Sequence, residues 1–308
     1  MQKQRHRRRQ WKKRGFRPVS AAGIAVLLLA VIVTGCFCCE LFIPKDPSCF
    51  DLAHTSEAPC REFWFGTDTM GRDLFSMVWQ GGRISLLIGF LATLLSTGIG
   101  ILVGTAGGLA PEWLDALLMR LTEIFLSIPH LLLIVFLQAI LGRATVLSLS
   151  LVIGATGWTS IAKVVRTEVM QLRRRDYVLA AKTMGAGFFH ILYRHLAPNF
   201  LPSILFFIVM DIRSAILAEA TLSFMGLGLP LEAVSWGSML SLSEKAVLTG
   251  DWWILLVPGG FLIVTLLGVT EIAVFCREIP GAKIKHRSRK NDRKRCKNRS
   301  LQKGGRIA

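Results

Sequence analysis

Residue types that could do chemistry fall in two groups. The first is RRRDYVLAAKTMGAGFFHILYRHLAPN, residues 173–199, with five Lys/Arg, two His, two Gly and one Pro between long apolar runs. Asp176 stands where a negative charge suits the start of a helix, and Tyr177, Val178, Ala180, Ala181 and Met184 can cover one side of that helix. Gly185 and Gly187 permit a sharp change of direction. Phe188, Phe189, Ile191 and Leu192 continue the apolar surface, and Pro198 is expected to end the element. Two short helices with a bend, using alanine where the fit must be close, suit a groove on another protein. A helix resting on lipid is the other reading. The second group is Asp211, Arg213 and Glu219, charges inside an otherwise apolar run. Charge at membrane depth is costly, so such residues face a water-filled path or a partner. Asp211 and Arg213 lie about 200° apart around a helix and do not simply pair with each other.

Covalent chemistry finds little support. No G-x-x-x-x-G-K-[ST] occurs, so the chain has no P-loop of its own for ATP. Ser, His and Asp are scattered without a nucleophile motif, and no catalytic, cofactor-binding or metal residue is expected. His130, following Pro129 in an apolar run, reads as a satisfied core residue rather than a ligand. The seven cysteines include no C-x-x-C with the second partner set that a zinc site needs. Cys49 and Cys60 share one loop, where a disulfide is chemically open. VTGC at residues 33–36 imitates a lipoprotein processing signal with Cys36 as the modified residue, and an uncut first helix is preferred over it.

The elements that must hold these residues are helices in a membrane. The chain has 308 residues, 52% of them hydrophobic, and a mean hydropathy of +0.49. Its apolar runs give six expected spans, near 19–43, 84–110, 114–141, 146–162, 200–222 and 252–275. Each approaches the roughly 20 residues a helix needs to cross the hydrocarbon, and continuous runs exclude barrel strands, which alternate. The basic residues fix the orientation. Segments 1–17, 163–195 and 277–308 hold 29 of the 37 Lys/Arg, and six spans place all three on one side. The opposite side receives Lys45, Arg61, Arg72, Arg83, Arg143 and Lys245, while Arg120 and Arg213 fall within spans. Both termini are therefore expected in the cytoplasm. The net charge of +17 is accounted for by anionic lipid headgroups, and nucleic acid is not expected as a partner.

The expected organisation is a basic tail (1–17), a first span (18–43), an external loop (44–82), a main membrane domain (83–275) with the polar loop at 173–199, and a basic tail (276–308). Ser96, Gly100, Gly104 and Gly108 recur every four residues, a small-residue stripe that lets another helix approach closely. Arg120 and Glu123 are spaced to pair, and Pro129 predicts a kink. Residues 230–251 form an external connection with an amphipathic middle, placed on the membrane surface or over a pore mouth.

AAKTMG (180–185) followed by HLAPN (195–199) resembles the EAA loop of ABC importer permeases. FGTDTMGRDLFS (65–76), GGRISLLIG (81–89), AEATLSFMGLGLP (218–230) and SWGSML (235–240) resemble, in the same order, the second permease of dipeptide, oligopeptide and nickel importers. The resemblance covers residues 65–260. It implies an all-α polytopic membrane protein with the type I ABC importer permease architecture and about six transmembrane helices, in a bacterial inner membrane. It also implies a homologous second permease, two ATPase subunits that use ATP and Mg, and an extracytoplasmic solute-binding protein. Tyr177, Val178, Leu179, Ala180, Ala181, Lys182, Thr183, Met184 and Gly185 then become the ATPase-coupling residues. Asp211, Arg213 and Glu219 become candidates for the translocation path of a peptide, nickel or a metal chelate. The motif's Glu position is held by Leu179, so the salt bridge that Glu makes to the ATPase is absent. The relatives' positions for Asp211 and Arg213 are usually uncharged, and the tail is unusually basic. An ion-coupled carrier acting without an ATPase is the alternative, with the same three charges as its coupling groups.

Overall fold

The computed structural model of the protein describes residues 19–41, 50–230 and 233–277. In chain order the helices are α1 (Val19–Phe37), α2 (Leu74–Leu109), α3 (Glu112–Ser127), α4 (His130–Leu141), α5 (Val146–Leu172), α6 (Asp176–Thr183), α7 (Phe188–Ile191), α8 (Ala197–Phe224), α9 (Trp236–Thr249) and α10 (Trp253–Arg277). Among the described residues, strand pairing is limited to an isolated bridge between Thr67 and Asp73. α2, α5, the α7–α8 run and α10 are each long and apolar enough to cross a membrane, and the bent α3–α4 pair passes as one broken span. With the shorter apolar α1 this agrees with about six spans. The basic tails, Lys45 and Cys49 lie outside the described residues.

Two spans are longer than their apolar runs. α2 begins at Leu74, ten residues before the expected start, because Asp73 caps it: its Oδ2 accepts from Ser76 N at 3.0 Å and Ser76 Oγ at 2.6 Å. The polar QGGR is inside the helix, where Gly82 lets Trp236 and Cys36 pack against the backbone. α5 continues to Leu172 rather than 162. Its Arg166 is met by a bidentate pair with Asp115 of α3, Nε to Oδ1 and Nη2 to Oδ2, each 2.5 Å. The kink expected at Pro129 is a break: α3 and α4 are bent by 91°. Pro198 does not end its element. It sits in the first turn of α8, where a missing N–H costs least, and a π turn at Leu192–Leu196 joins α7 to α8 without interruption.

The centre of the fold is the seam between α2 and α5. Ser96, Gly100, Gly104 and Gly108 are all buried. A Cβ at Gly104 would lie 2.5 Å from the Ala162 carbonyl oxygen and 2.8 Å from Val165, so the backbones touch directly there. The expected stripe thus finds its partner helix in α5. α8 packs across both. Three apolar clusters fill the bundle: one around Trp236, Met77 and Trp253, one around Ile88, Leu149 and Leu222, and one around Val165, Leu196 and Phe200 at the end nearest α6.

The 50–73 loop is tied to α10 and to the start of α2. Trp253 Nε1 donates to Thr67 O at 3.2 Å. Asp68 and Arg72, 1% and 3% exposed, form a buried pair: Nε donates to Oδ2 at 2.8 Å, and Nη2 stands 2.7 Å from that oxygen. Asp68 Oδ1 also accepts from Met70 N and Arg72 N, each at 2.8 Å. At the exposed edge, His54 Nδ1 meets Asp51 Oδ2 at 2.9 Å, and this hydrogen bond raises the imidazole above its ordinary value of 6.5. A pKa raised on folding stabilises below the unfolded value and is lost as pH climbs through the raised one. Limited proteolysis of this loop is therefore expected to speed up slightly between about pH 6 and about pH 8. The increment should be absent in His54→Gln measured at the same pH values.

Candidate functional site

The polar segment is built onto the end of α5. Arg173 caps that helix, and its Nη1 donates to Gly108 O at 3.0 Å, fastening the segment to the end of α2. α6 follows, anchored by Val178, which is fully buried against the Val165–Leu196 cluster. Gly185 then reverses the chain at φ +82°, a conformation an L side chain rarely adopts. Ala186 N donates to Ala181 O at 3.0 Å, the six-residue closure that ends helices on a left-handed glycine. The bend between two short helices expected from the sequence is present. Tyr177 packs on His195 with ring centroids 6.1 Å apart, joining α6 to the π turn.

Beside exposed Arg174, Arg175, Asp176 and Arg194, this arrangement leaves large apolar side chains outside. Leu179 is 49% exposed, Met184 86%, Phe189 62% and Tyr193 71%. Tyr177 and Ala180 are exposed and Ala181 half-buried, while the Lys182 side chain lies outside the described set. Leu179 points outward, so the position that holds Glu in the motif offers an apolar contact instead. Val178 faces inward, so the nine expected coupling residues divide into an anchored side and a presented side.

The three embedded charges are not gathered into one site. Asp211 accepts from Ser96 Oγ of α2 at 2.6 Å, and Gly157 of α5 comes so close that a Cβ there would lie 3.3 Å from its Oδ1. Arg213 is half-buried, and its Nε has no hydrogen-bond partner among the described residues. Glu219, about 12 Å further along the helix than Asp211, is fully enclosed. Its Oε2 accepts from Ser85 Oγ at 2.8 Å and its Oε1 from Ser223 Oγ at 2.9 Å. Ser85 Oγ also accepts from Trp236 N at 3.3 Å, so this cluster joins α2, α8 and α9.

Other expected groups are placed as follows. His130 Nε2 meets Thr156 Oγ1 at 3.1 Å, a satisfied side chain. Arg120 and Glu123 pair at 3.1 Å. Cys36 is fully buried beside Gly82, where acylation has no access in the folded chain. Cys60 is exposed, and its proposed partner Cys49 lies outside the described residues. Sequence reading missed the Asp115–Arg166 and Ser85–Glu219 pairings, whose members are 51 and 134 residues apart.

Comparison with known proteins agrees with this geometry. Residues 71–275 match the family model described as binding-protein-dependent transport system inner membrane component. A candidate peptide permease of Brucella suis biovar 1 is 37% identical over 253 residues, covering 82% of this chain and 83% of its own. The oligopeptide transport system permease protein of Bacillus subtilis is 33% identical over 270 residues, 88% of each chain. In fold, the chain resembles one from an inward-facing structure of a methionine ABC transporter, with TM-score 0.54 at 17% identity over 66% of this chain and 95% of that one. The expected all-α importer-permease architecture is therefore the observed one. The chain belongs to the binding-protein-dependent transport system inner membrane component family and is a multi-pass permease subunit of the ABC importer type.

Proposed function

We propose that the chain forms one half of a translocation path for peptides or a related small solute, together with a homologous second permease. Two ATPase subunits energise it, docking on residues 177–185, and an extracytoplasmic binding protein delivers the cargo. Both termini lie in the cytoplasm, which puts α6 on the same side as the ATPases. The peptide names of the relatives favour peptides over nickel or a chelate. Asp211 and Arg213 are the charges nearest a path, because Glu219 is enclosed within the subunit.

The observation that carries this reading is the segment around α6. It is anchored by Val178 and Arg173, yet it presents Leu179, Met184, Phe189 and Tyr193 to the outside. A helix fixed on one side and presenting large apolar side chains on the other can take a push as a rigid body. Gly185→Arg forces a side chain onto a left-handed backbone and is expected to abolish co-purification of the ATPase in mild detergent. Met184→Asp, which alters an exposed side chain without backbone strain, is expected to lower the ATPase yield at unchanged permease yield. Full ATPase recovery with both variants would refute docking at this segment.

A further inference from the structure

At the end of the bundle opposite α6 lies a cavity of about 440 Å³, between the α4–α5 turn, the turn after α8, and α9. That size falls within the usual range for small-ligand sites. Arg143 is the charged residue of its lining, beside the hydroxyls of Thr145, Ser223, Ser238 and Ser241. The hydroxyls differ in what they have left to offer. Ser223 Oγ donates to Glu219 at 2.9 Å, and Ser238 Oγ donates to Ser235 O at 3.0 Å. With their hydrogens engaged, both line the cavity as acceptors, although Ser238 Oγ already accepts from Ser235 N at 2.8 Å and keeps a single lone pair. Thr145 Oγ1 accepts from Ser148 N at 3.1 Å and keeps its hydrogen free. The Arg143 guanidinium has no acidic partner among the described residues. The α4–α5 wall therefore donates and carries positive charge, whereas the α8–α9 wall accepts and is backed by the Glu219 carboxyl.

We propose that this cavity takes the carboxylate of a small solute that also carries N–H groups, of dipeptide size. Arg143 is the anchoring residue for the carboxylate, and Ser223 and Ser238 accept from the N–H end. A single guanidinium balances a monovalent carboxylate in a planar, two-point contact. A phosphate dianion would remain half uncompensated. The peptide identity of the solute rests on the proposed function; the anchoring of a carboxylate by Arg143 does not.

The test is equilibrium dialysis of the full chain in lipid nanodiscs with radiolabelled dialanine, using dialanine amide and acetate as competitors. Dialanine amide is expected to compete at least about tenfold more weakly than dialanine, the scale of a lost charge-assisted bond. Arg143→Gln is expected to lower dialanine affinity by a similar factor and to erase the discrimination, with Arg143→Lys in between. Ser241→Leu, which fills the cavity and leaves Arg143 in place, is expected to lose binding too. No bound dialanine, equal competition by the amide, or an unchanged Arg143→Gln would overturn the inference. Acetate competing as well as dialanine would overturn its N–H half. Arg143-dependent binding without ATP-driven uptake by the reconstituted importer would support the site and count against the transport reading alone.

Discussion

Gly104→Val is expected to destabilise the folded permease by about 3 kcal/mol, the upper end for overpacking. The added Cβ would fall 2.5 Å from the Ala162 carbonyl oxygen, a backbone atom that cannot rotate away. α2 and α5 would have to separate. That separation would also loosen Gly100 against Ile161 and Gly108 against Val169, because all three glycines lie on one seam. The yield of monodisperse protein in detergent and its thermal midpoint should both fall. Gly98, on the same helix, has nothing within 4 Å of its Cβ position. Gly98→Ala is therefore expected to be neutral or to stabilise by about 0.5–1 kcal/mol through reduced backbone entropy. A Gly104→Val chain as stable as Gly98→Ala would refute the close seam.

The second large effect is expected at Arg72. Arg72→Met leaves the Asp68 carboxylate buried without its counter-charge, a change that costs about 3–5 kcal/mol. Arg72 also stands over the Phe50 ring at 5.6 Å, so truncation loosens a second contact. The loss should concentrate in the 50–73 loop, read as faster cleavage by added protease. Arg72→Met combined with Asp68→Asn is expected to recover part of the loss. Asparagine removes the charge and still accepts from the two backbone N–H groups held by Asp68 Oδ1. Equal protease sensitivity of the single and double variants would show that charge burial is not the cause.

Legibility in the sequence followed the range of the interaction. The stripe from Ser96 to Gly108 was readable because close helix approach demands small residues at one fixed interval, and the Gly185 bend because a positive φ leaves few alternatives. Helix ends were less readable. Polarity in QGGR reads as a turn, yet Gly82 is where Trp236 packs, and only the tertiary contact shows it. Arg166 reads as the end of a span until Asp115, 51 positions away, neutralises it. Pro198 reads as a terminator, but position within the first turn decides its effect. The embedded charges were recognisable as costly, but not their partners, since Ser85 and Glu219 are 134 residues apart. Arg143 appeared only as one of the few basic residues on its side, and the cavity beside it arises from three separated segments.

The π turn has a mechanical corollary. Because it bridges α7 and α8 without a gap, Phe188–Phe224 is a single beam of 37 residues, about 55 Å long at the helical rise. Tilting by about 5° about Asp211 moves its near end by about 3 Å and its far tip by about 1.5 Å. Its bearings are the Ser96–Asp211 and Ser85–Glu219 bonds, which couple it to α2 and gear the two helices together. The near end carries the surface proposed to meet the ATPase, and the far tip, Ser223, is part of the cavity beside Arg143. Nucleotide-driven strokes and the shape of that cavity would then be one degree of freedom, with no separate signal passing between them.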